Sequence, residues 1–133
     1  MLYKNDVIEY LTVSMKEHGY RKSRNNWKKQ CEYITIIITI QSSQYNTNTF
    51  YVCFGVSINA IAERPPASAH MCHIQARIDG NNFSDMEHIM NAIELWEGKY
   101  GTLESLKRAA FANKLPIQSK SIAVTYLTSI NNN

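Results

Sequence analysis

Residues 33–43, YITIIITIQSS, and residues 49–59, TFYVCFGVSIN, decide how this chain folds. In the first stretch Ile34, Ile36, Ile38 and Ile40 recur at every second position, and in the second Phe50, Val52, Phe54, Val56 and Ile58 do the same. Such a period places these side chains on one face of a half-buried strand. The two stretches therefore read as the arms of a long β-hairpin, and their shared apolar face as a sheet core. The opposite face is mixed, with Thr35, Ile37, Thr39 and Gln41 on one arm and Tyr51, Cys53, Gly55, Ser57 and Asn59 on the other. The connection at 44–48 is polar and too long for a two-residue turn, which predicts a loop of about five residues.

Before the hairpin, residues 5–18 carry a helical pattern: Val7, Ile8, Leu11 and Met15 lie along one side, with Asp6 and Glu9 in the first turn where the helix dipole favours them. Asn5 is the expected N-cap, Gly19 the left-handed C-terminal stop, and Tyr20 is expected to pack back on the helix. Asn25 and Asn26 then signal a turn. Trp27 begins a short strand that leads through Cys31 and Glu32 into the hairpin. Its lysines suit an edge strand, where they discourage pairing with another chain.

After the hairpin, Pro65 and Pro66 make 60–69 a surface crossing, because proline cannot donate to a central ladder. Residues 71–79 alternate again, with Cys72, Ile74, Ala76 and Ile78 pointing one way and Met71, His73, Gln75, Arg77 and Asp79 the other. Gly80, Asn81 and Asn82 end that strand. Ser84 and Glu87 have the spacing of a capping box, followed by Ile89, Ile93, Trp96 and Tyr100 down one helix face. Thr102 is positioned to cap a further helix carrying Leu103, Leu106, Ala110 and Phe111. Beyond Pro116 the signals conflict: Ile122, Tyr126 and Ile130 are spaced for a helix, while Val124, Thr125 and Thr128 favour a strand. The order of elements predicts an α+β fold: an antiparallel sheet of three to five strands around a long central hairpin, with an N-terminal helix and C-terminal helices packed on one face.

A chain of 133 residues with 44% hydrophobic and 19% charged residues has the size and composition of one globular domain. It has no apolar run of about 18 residues, so no membrane partner is expected. Residues 1–6 lack the features of a secretory signal, so a cytoplasmic location is the expectation. Cys31, Cys53 and Cys72 are odd in number and widely spaced, which fits reduced thiols. The net charge of +3 is unevenly distributed. Lys16, Arg21, Lys22, Arg24, Lys28 and Lys29 face only Glu17, whereas Asp79, Asp85, Glu87, Glu94, Glu97 and Glu104 face only Lys99. A basic region and an acidic region are expected, a polarity that can steer a charged partner.

Read together, Gly19-Tyr20-Arg21-Lys22 after a first helix, Trp27, the strand ending Gln41-Ser42-Ser43, the run Phe50-Tyr51-Val52-Cys53-Phe54-Gly55-Val56, and the later Cys72 and Arg77 form a familiar sequence of signals. They resemble a bacterial family known as domain of unknown function 4304, over residues 5–100. The paired tryptophans expected near the later helix are here the single Trp96, and the C-terminal third carries no family signature. The resemblance implies the fold and a bacterial origin, and it implies no activity.

The residues that could carry chemistry are few. His70, Cys72 and His73 are the most metal-like grouping, yet on a strand Cys72 and His73 point to opposite faces and no second pair stands at ligand spacing. No metal and no cofactor are expected. Cys53 and Cys72, with His18, His70, His73 and His88 as bases, lack any glycine-rich elbow and read as ordinary strand thiols. The five glycines are isolated, so no phosphate-binding loop exists. Glu94 and Glu97 read as solvated helix residues. No catalytic residue is assigned.

Two surfaces remain. Arg21, Lys22, Arg24, Trp27, Lys28 and Lys29, with Tyr20, could track a phosphate backbone and stack on bases. The edge-strand explanation is preferred, because the basic bias is modest and the acidic region would repel nucleic acid. The second surface is the mixed sheet face, where Thr39, Gln41, Tyr51, Ser57, His73, Gln75 and Arg77 are expected together, against the plainer reading of a solvated face with Arg77 paired to Asp79 or Glu32. The candidate binding surface is Gln41, Tyr51, His73, Gln75 and Arg77. The leading reading is a non-catalytic protein-binding module of immunity or inhibitor type, a monomer or weak homodimer. The alternative is a small-ligand or enzymatic domain using Gln41, Tyr51, His73 and Arg77, and nucleic-acid binding through 20–29 ranks third.

Overall fold

The computed structural model describes residues 2–43 and 49–129. In chain order the elements are α1 (Lys4–Glu17), β1 (Arg21–Ser23), β2 (Asn26–Gln30), β3 (Ile34–Ser42), β4 (Phe50–Ile58), β5 (Ile74–Asp79), α2 (Met86–Tyr100), α3 (Leu103–Phe111) and α4 (Ser121–Ser129), with short 3-10 turns at Asn59–Ile61, Ala69–Met71 and Gly80–Asn82. The strands form a five-stranded antiparallel sheet in sequence order, flanked by the N-terminal and C-terminal helices, as the patterning predicts. The hairpin arms pair in register from Ile34 opposite Ile58 to Ser42 opposite Phe50. The expected loop at 44–48 lies outside the described residues. Among the described residues no helix is long and apolar enough to cross a membrane.

The apolar face is the core. Ile34, Ile36, Ile38 and Ile40 are buried beside Phe50, Val52, Phe54, Val56 and Ile58. The flanking strands extend this surface, since Trp27 stands opposite Ile38 and Ile74 opposite Val56. The helices cover it with Val7, Leu11 and Met15 of α1, Ile89, Ile93 and Trp96 of α2, Leu106 of α3, and Ala123 and Leu127 of α4. Phe54 is central, with its ring centroid 5.3 Å from that of Trp96 and 6.3 Å from that of Tyr100.

Several boundaries differ from the expectations. The strand containing Trp27 is not an edge: it pairs with β3 on one side and with β1 on the other. The edge is β1, three residues long and wholly exposed, reached through a tight turn in which Arg24 takes the left-handed conformation at φ 57°. Helix α1 starts at Lys4, because the Tyr3 carbonyl already accepts the Val7 N–H, so Asn5 lies inside the first turn and is not the cap. At its other end Gly19 has φ +88°, the Tyr20 N–H donates to Met15 O at 3.0 Å, and the Tyr20 ring is buried, as expected of a left-handed stop. The cap of α2 is Asp85, whose carboxylate accepts the His88 N–H at 2.9 Å, while Ser84 bonds the His88 ring. Ser84 is therefore not the cap, because Asp85, the stronger acceptor, stands one position closer to the helix.

Thr102 caps α3 reciprocally with Ser105: each side-chain oxygen accepts the other residue's N–H. Phe111, at the end of α3, is exposed. Residues 121–129 are helical, but the buried stripe is Ala123 and Leu127, with Ile122 turned outward. Finally, β5 begins at Ile74; the 3-10 turn at Ala69–Met71 takes Cys72 out of the strand.

Candidate functional site

The hairpin register fixes the second face of the sheet. Thr35 stands opposite Ser57, Ile37 opposite Gly55, Thr39 opposite Cys53 and Gln41 opposite Tyr51. β5 then adds Gln75 beside Gly55, Arg77 beside Cys53 and Asp79 beside Tyr51. Most of this face is buried: Thr35, Ile37, Thr39, Cys53, Gly55 and Ser57 are all shielded from solvent. The solvated-face expectation is therefore corrected over its centre. The crossing between β4 and β5 is the cover.

The contact depends on Gly55. A Cβ there would stand 2.8 Å from both Ala69 Cα and Cys72 Sγ and 2.9 Å from the Ala69 carbonyl oxygen, so the crossing backbone lies directly on bare strand. Hydrogen bonds pin it. The Ala69 N–H donates to Thr39 Oγ1 at 3.0 Å, and that hydroxyl donates onward to Asn26 Oδ1 at 2.7 Å. Thr35 Oγ1 donates to Asn59 Oδ1 at 3.0 Å, and Asn59 Nδ2 donates to the Cys31 and Glu32 carbonyls. His73 Nδ1 accepts the Ile58 N–H at 3.0 Å and lies 3.4 Å from Ser57 Oγ. Thr39, Ser57 and His73, grouped by sequence with the recognition surface, thus serve the cover.

One corner of the face beside the crossing stays accessible. Arg77 is exposed and its guanidinium lies 4.4 Å over the centroid of the half-buried Tyr51 ring. The Asp79 carboxylate accepts the Asn81 N–H at 3.0 Å, and among the described residues Arg77 forms no ion pair with Asp79 or Glu32. Gln41 Oε1 meets His70 Nε2 at 3.2 Å and Cys53 Sγ at 3.7 Å. Gln75 Nε2 donates to the His70 and Cys72 carbonyls, bracing the crossing against β5. A cavity of about 70 Å³ lies between Cys53, His70, Gln75 and Arg77. Small-molecule sites usually run to about 300 Å³ or more. Sequence reasoning placed Gln41, Tyr51, Gln75 and Arg77 on this surface by alternation and missed the placement of His70 among them, since nothing in an aperiodic crossing says where it folds.

The thiols are not activated. Cys53 Sγ lies 4.0 Å from His70 Nε2, but burial pushes the Cys53 thiol up to about 11 against the opposing pull of Arg77. Burial likewise pushes Cys72 up to about 12, against Lys120 and Lys28. Both hold their protons at neutral pH, and the thiolate is the nucleophile. Cys72 Sγ packs against Gly55 and donates to the Ser68 carbonyl, and His73 commits Nδ1 to Ile58; both lie on the crossing's side of the sheet, not on opposite faces. Among the described residues no three metal-binding side chains converge.

The basic stretch divides in the same way. Trp27 and Tyr20 are buried in the core, where neither can stack on a base. Burial, then the nearby Glu97 carboxylate, pushes the Tyr20 hydroxyl far above its ordinary ionisation range. Lys22 reaches over the Trp27 ring at 5.9 Å, and Lys29 lies over the Tyr20 ring and 4.0 Å from Glu97. Arg21 and Lys28 belong to the opposite face, and Arg24 to the turn. His18 lies 3.5 Å from Glu94, so the basic and acidic regions expected from sequence meet each other along α2.

A protein-family model described as Domain of unknown function (DUF4304) matches residues 11–100. Neither the curated proteins nor the solved structures yield a match. The matched stretch contains the whole sheet, the crossing with its Gly55 contact, and the Tyr51 and Arg77 corner, and it ends with α2. The chain belongs to the family called Domain of unknown function (DUF4304).

Proposed function

We propose that this protein is a non-catalytic protein-binding module that meets its partner with the corner formed by Gln41, Tyr51, Gln75 and Arg77. The observation that carries the reading is the stacked Tyr51–Arg77 pair, an accessible guanidinium without a carboxylate partner among the described residues. Tyrosine and arginine are the residue types that dominate interface energetics. A guanidinium already laid on a ring loses little freedom on binding and keeps its N–H fork for a carboxylate. The partner surface that fits is acidic. The protonated, buried thiols of Cys53 and Cys72 support a binding role over nucleophilic catalysis.

The finer version is a bacterial cytoplasmic inhibitor or immunity protein, acting as a monomer or weak homodimer. Its support is analogy with other small solitary bacterial domains. Affinity capture from the native host, followed by calorimetry with the purified partner, tests the site. Wild type and a Lys16→Ala control on α1 should bind alike, and Arg77→Ala should weaken binding about 30-fold, the loss typical of a hot-spot residue. A partner that binds all three forms equally removes Arg77 from the contact.

A further inference from the structure

A larger cleft lies at the other end of the covered face. It measures about 470 Å³ and has Ser57, Glu63, Arg64, His70, His73 and Lys120 in its walls, with apolar side chains between them. Its size is that of small-molecule sites. The crossing supplies one wall and the entry to α4 another. The Lys120 N–H donates to the His73 carbonyl at 2.8 Å, which fixes that entry beside β5.

His73 is the informative member. It is only 8% exposed, and the Ile58 N–H donates to its Nδ1, so in the neutral ring the proton sits on Nε2. Nε2 has no acceptor among the described residues, although the residue lines the cleft. A nearly buried side chain with a fixed tautomer thus presents an unused N–H donor. Two neighbours are donors as well: the Arg64 guanidinium and the Lys120 ammonium. Neither cation forms an ion pair among the described residues, and Glu63 is the single carboxylate in the walls.

We propose that this cleft binds a small organic anion, with a phosphate or carboxylate group held by Arg64, Lys120 and the Nε2–H of His73 and its apolar part lying among the apolar wall residues. The site shares only His70 with the Tyr51–Arg77 corner and the tested substitutions touch neither that residue nor the corner, so the two can fail independently. The test is a ¹H–¹⁵N NMR titration of the whole chain at constant ionic strength. The probes are glycerol 3-phosphate and butyrate, with glycerol and butanol as uncharged counterparts.

At least one anion should give saturable shifts confined to amides of 57–64, 70–73 and 119–122, with Kd of about 1 mM or tighter, and the uncharged probes none. Which anion saturates identifies the head group. The double variant Arg64→Gln, Lys120→Gln changes only exposed side chains and should weaken the binding at least tenfold with the remaining spectrum unchanged. Absence of saturable shifts with both anions, or equal affinity in the double variant, overturns the proposal.

Discussion

The two faces of the sheet are both covered, by opposite means. On the core face, helices α1 to α4 bring large side chains at helical spacing, and Phe54 packs beneath Trp96 and Tyr100. On the second face an aperiodic crossing lays its own backbone on the strand where Gly55 has no side chain, and it is held by the hydrogen bond that Ala69 N–H donates to Thr39 and by those that Asn59 donates to the Cys31 and Glu32 carbonyls. The first contact is made by filling space and the second by removing an obstacle. Alternation in a strand says which residues share a face. It does not say what lies on that face, and the two proposed binding sites lie where the second cover stops: at Tyr51 and Arg77 at one end, and at His73 and Lys120 at the other.

Substitutions on the two faces should therefore differ in kind as well as size. The largest effect belongs to Phe54→Ala, which should cost about 3–5 kcal/mol in urea unfolding, with Ile36→Ala near the lower end of the same class. A melting point within a degree or two of wild type for either would contradict their place in the core. Next comes Gly55→Ala. Adding a methyl to an interior strand glycine ordinarily helps by about 0.5–1 kcal/mol. Here it meets crossing backbone at 2.8 Å, so the net change should be a loss of about 1–3 kcal/mol. A stabilised Gly55→Ala would mean that the crossing does not lie on the strand. Gly98, in α2, has nothing within 4 Å of an added Cβ, and Gly98→Ala should stabilise by about 0.5–1 kcal/mol in the same assay. These two glycines separate a required bare backbone from an optional one.

The smallest effect is a pH dependence. Burial, then Lys120, lowers the His73 pKa below its ordinary 6.5. The unfolded chain therefore binds more protons than the folded one in the interval just below 6.5, and stability rises with pH there. The contribution is fully present above 6.5 and is lost as pH falls toward the lowered folded value. Unfolding free energies of wild type and His73→Gln should thus draw closer as pH falls through that interval. A constant difference would show that His73 titrates alike in both states.

Most of the fold was legible because the core obeys a period. Ile34 to Ile40 and Phe50 to Ile58 announced both strands and their common face, and the stop at Gly19 and the cap at Thr102 were visible for the same local reasons. β1 was not, because Arg21–Ser23 is short and exposed on every residue, leaving no alternation to detect. In α4 neither the helix nor its buried side was legible: the spacing of Ile122 and Tyr126 competed with the β-branched Val124, Thr125 and Thr128, and the buried pair Ala123 and Leu127 is chosen by the docking of α4 on the core. At the candidate site, Tyr51 and Arg77 share a face by register alone. The burial of Cys53 and His73, the approach of His70 to Gln41, and the position of Lys120 all come from tertiary placement of segments without periodicity.

The chain carries its own reporters for the covered face. Cys53 lies under the crossing, Cys72 belongs to the crossing and turns its Sγ against Gly55, and Cys31 lies half-buried outside it. Native-state labelling with a thiol reagent, resolved by site with mass spectrometry, measures that cover directly. Cys31 should react first, with Cys53 and Cys72 protected until the protein unfolds. Labelling of Cys53 or Cys72 as fast as Cys31 under native conditions would show that the second face is open.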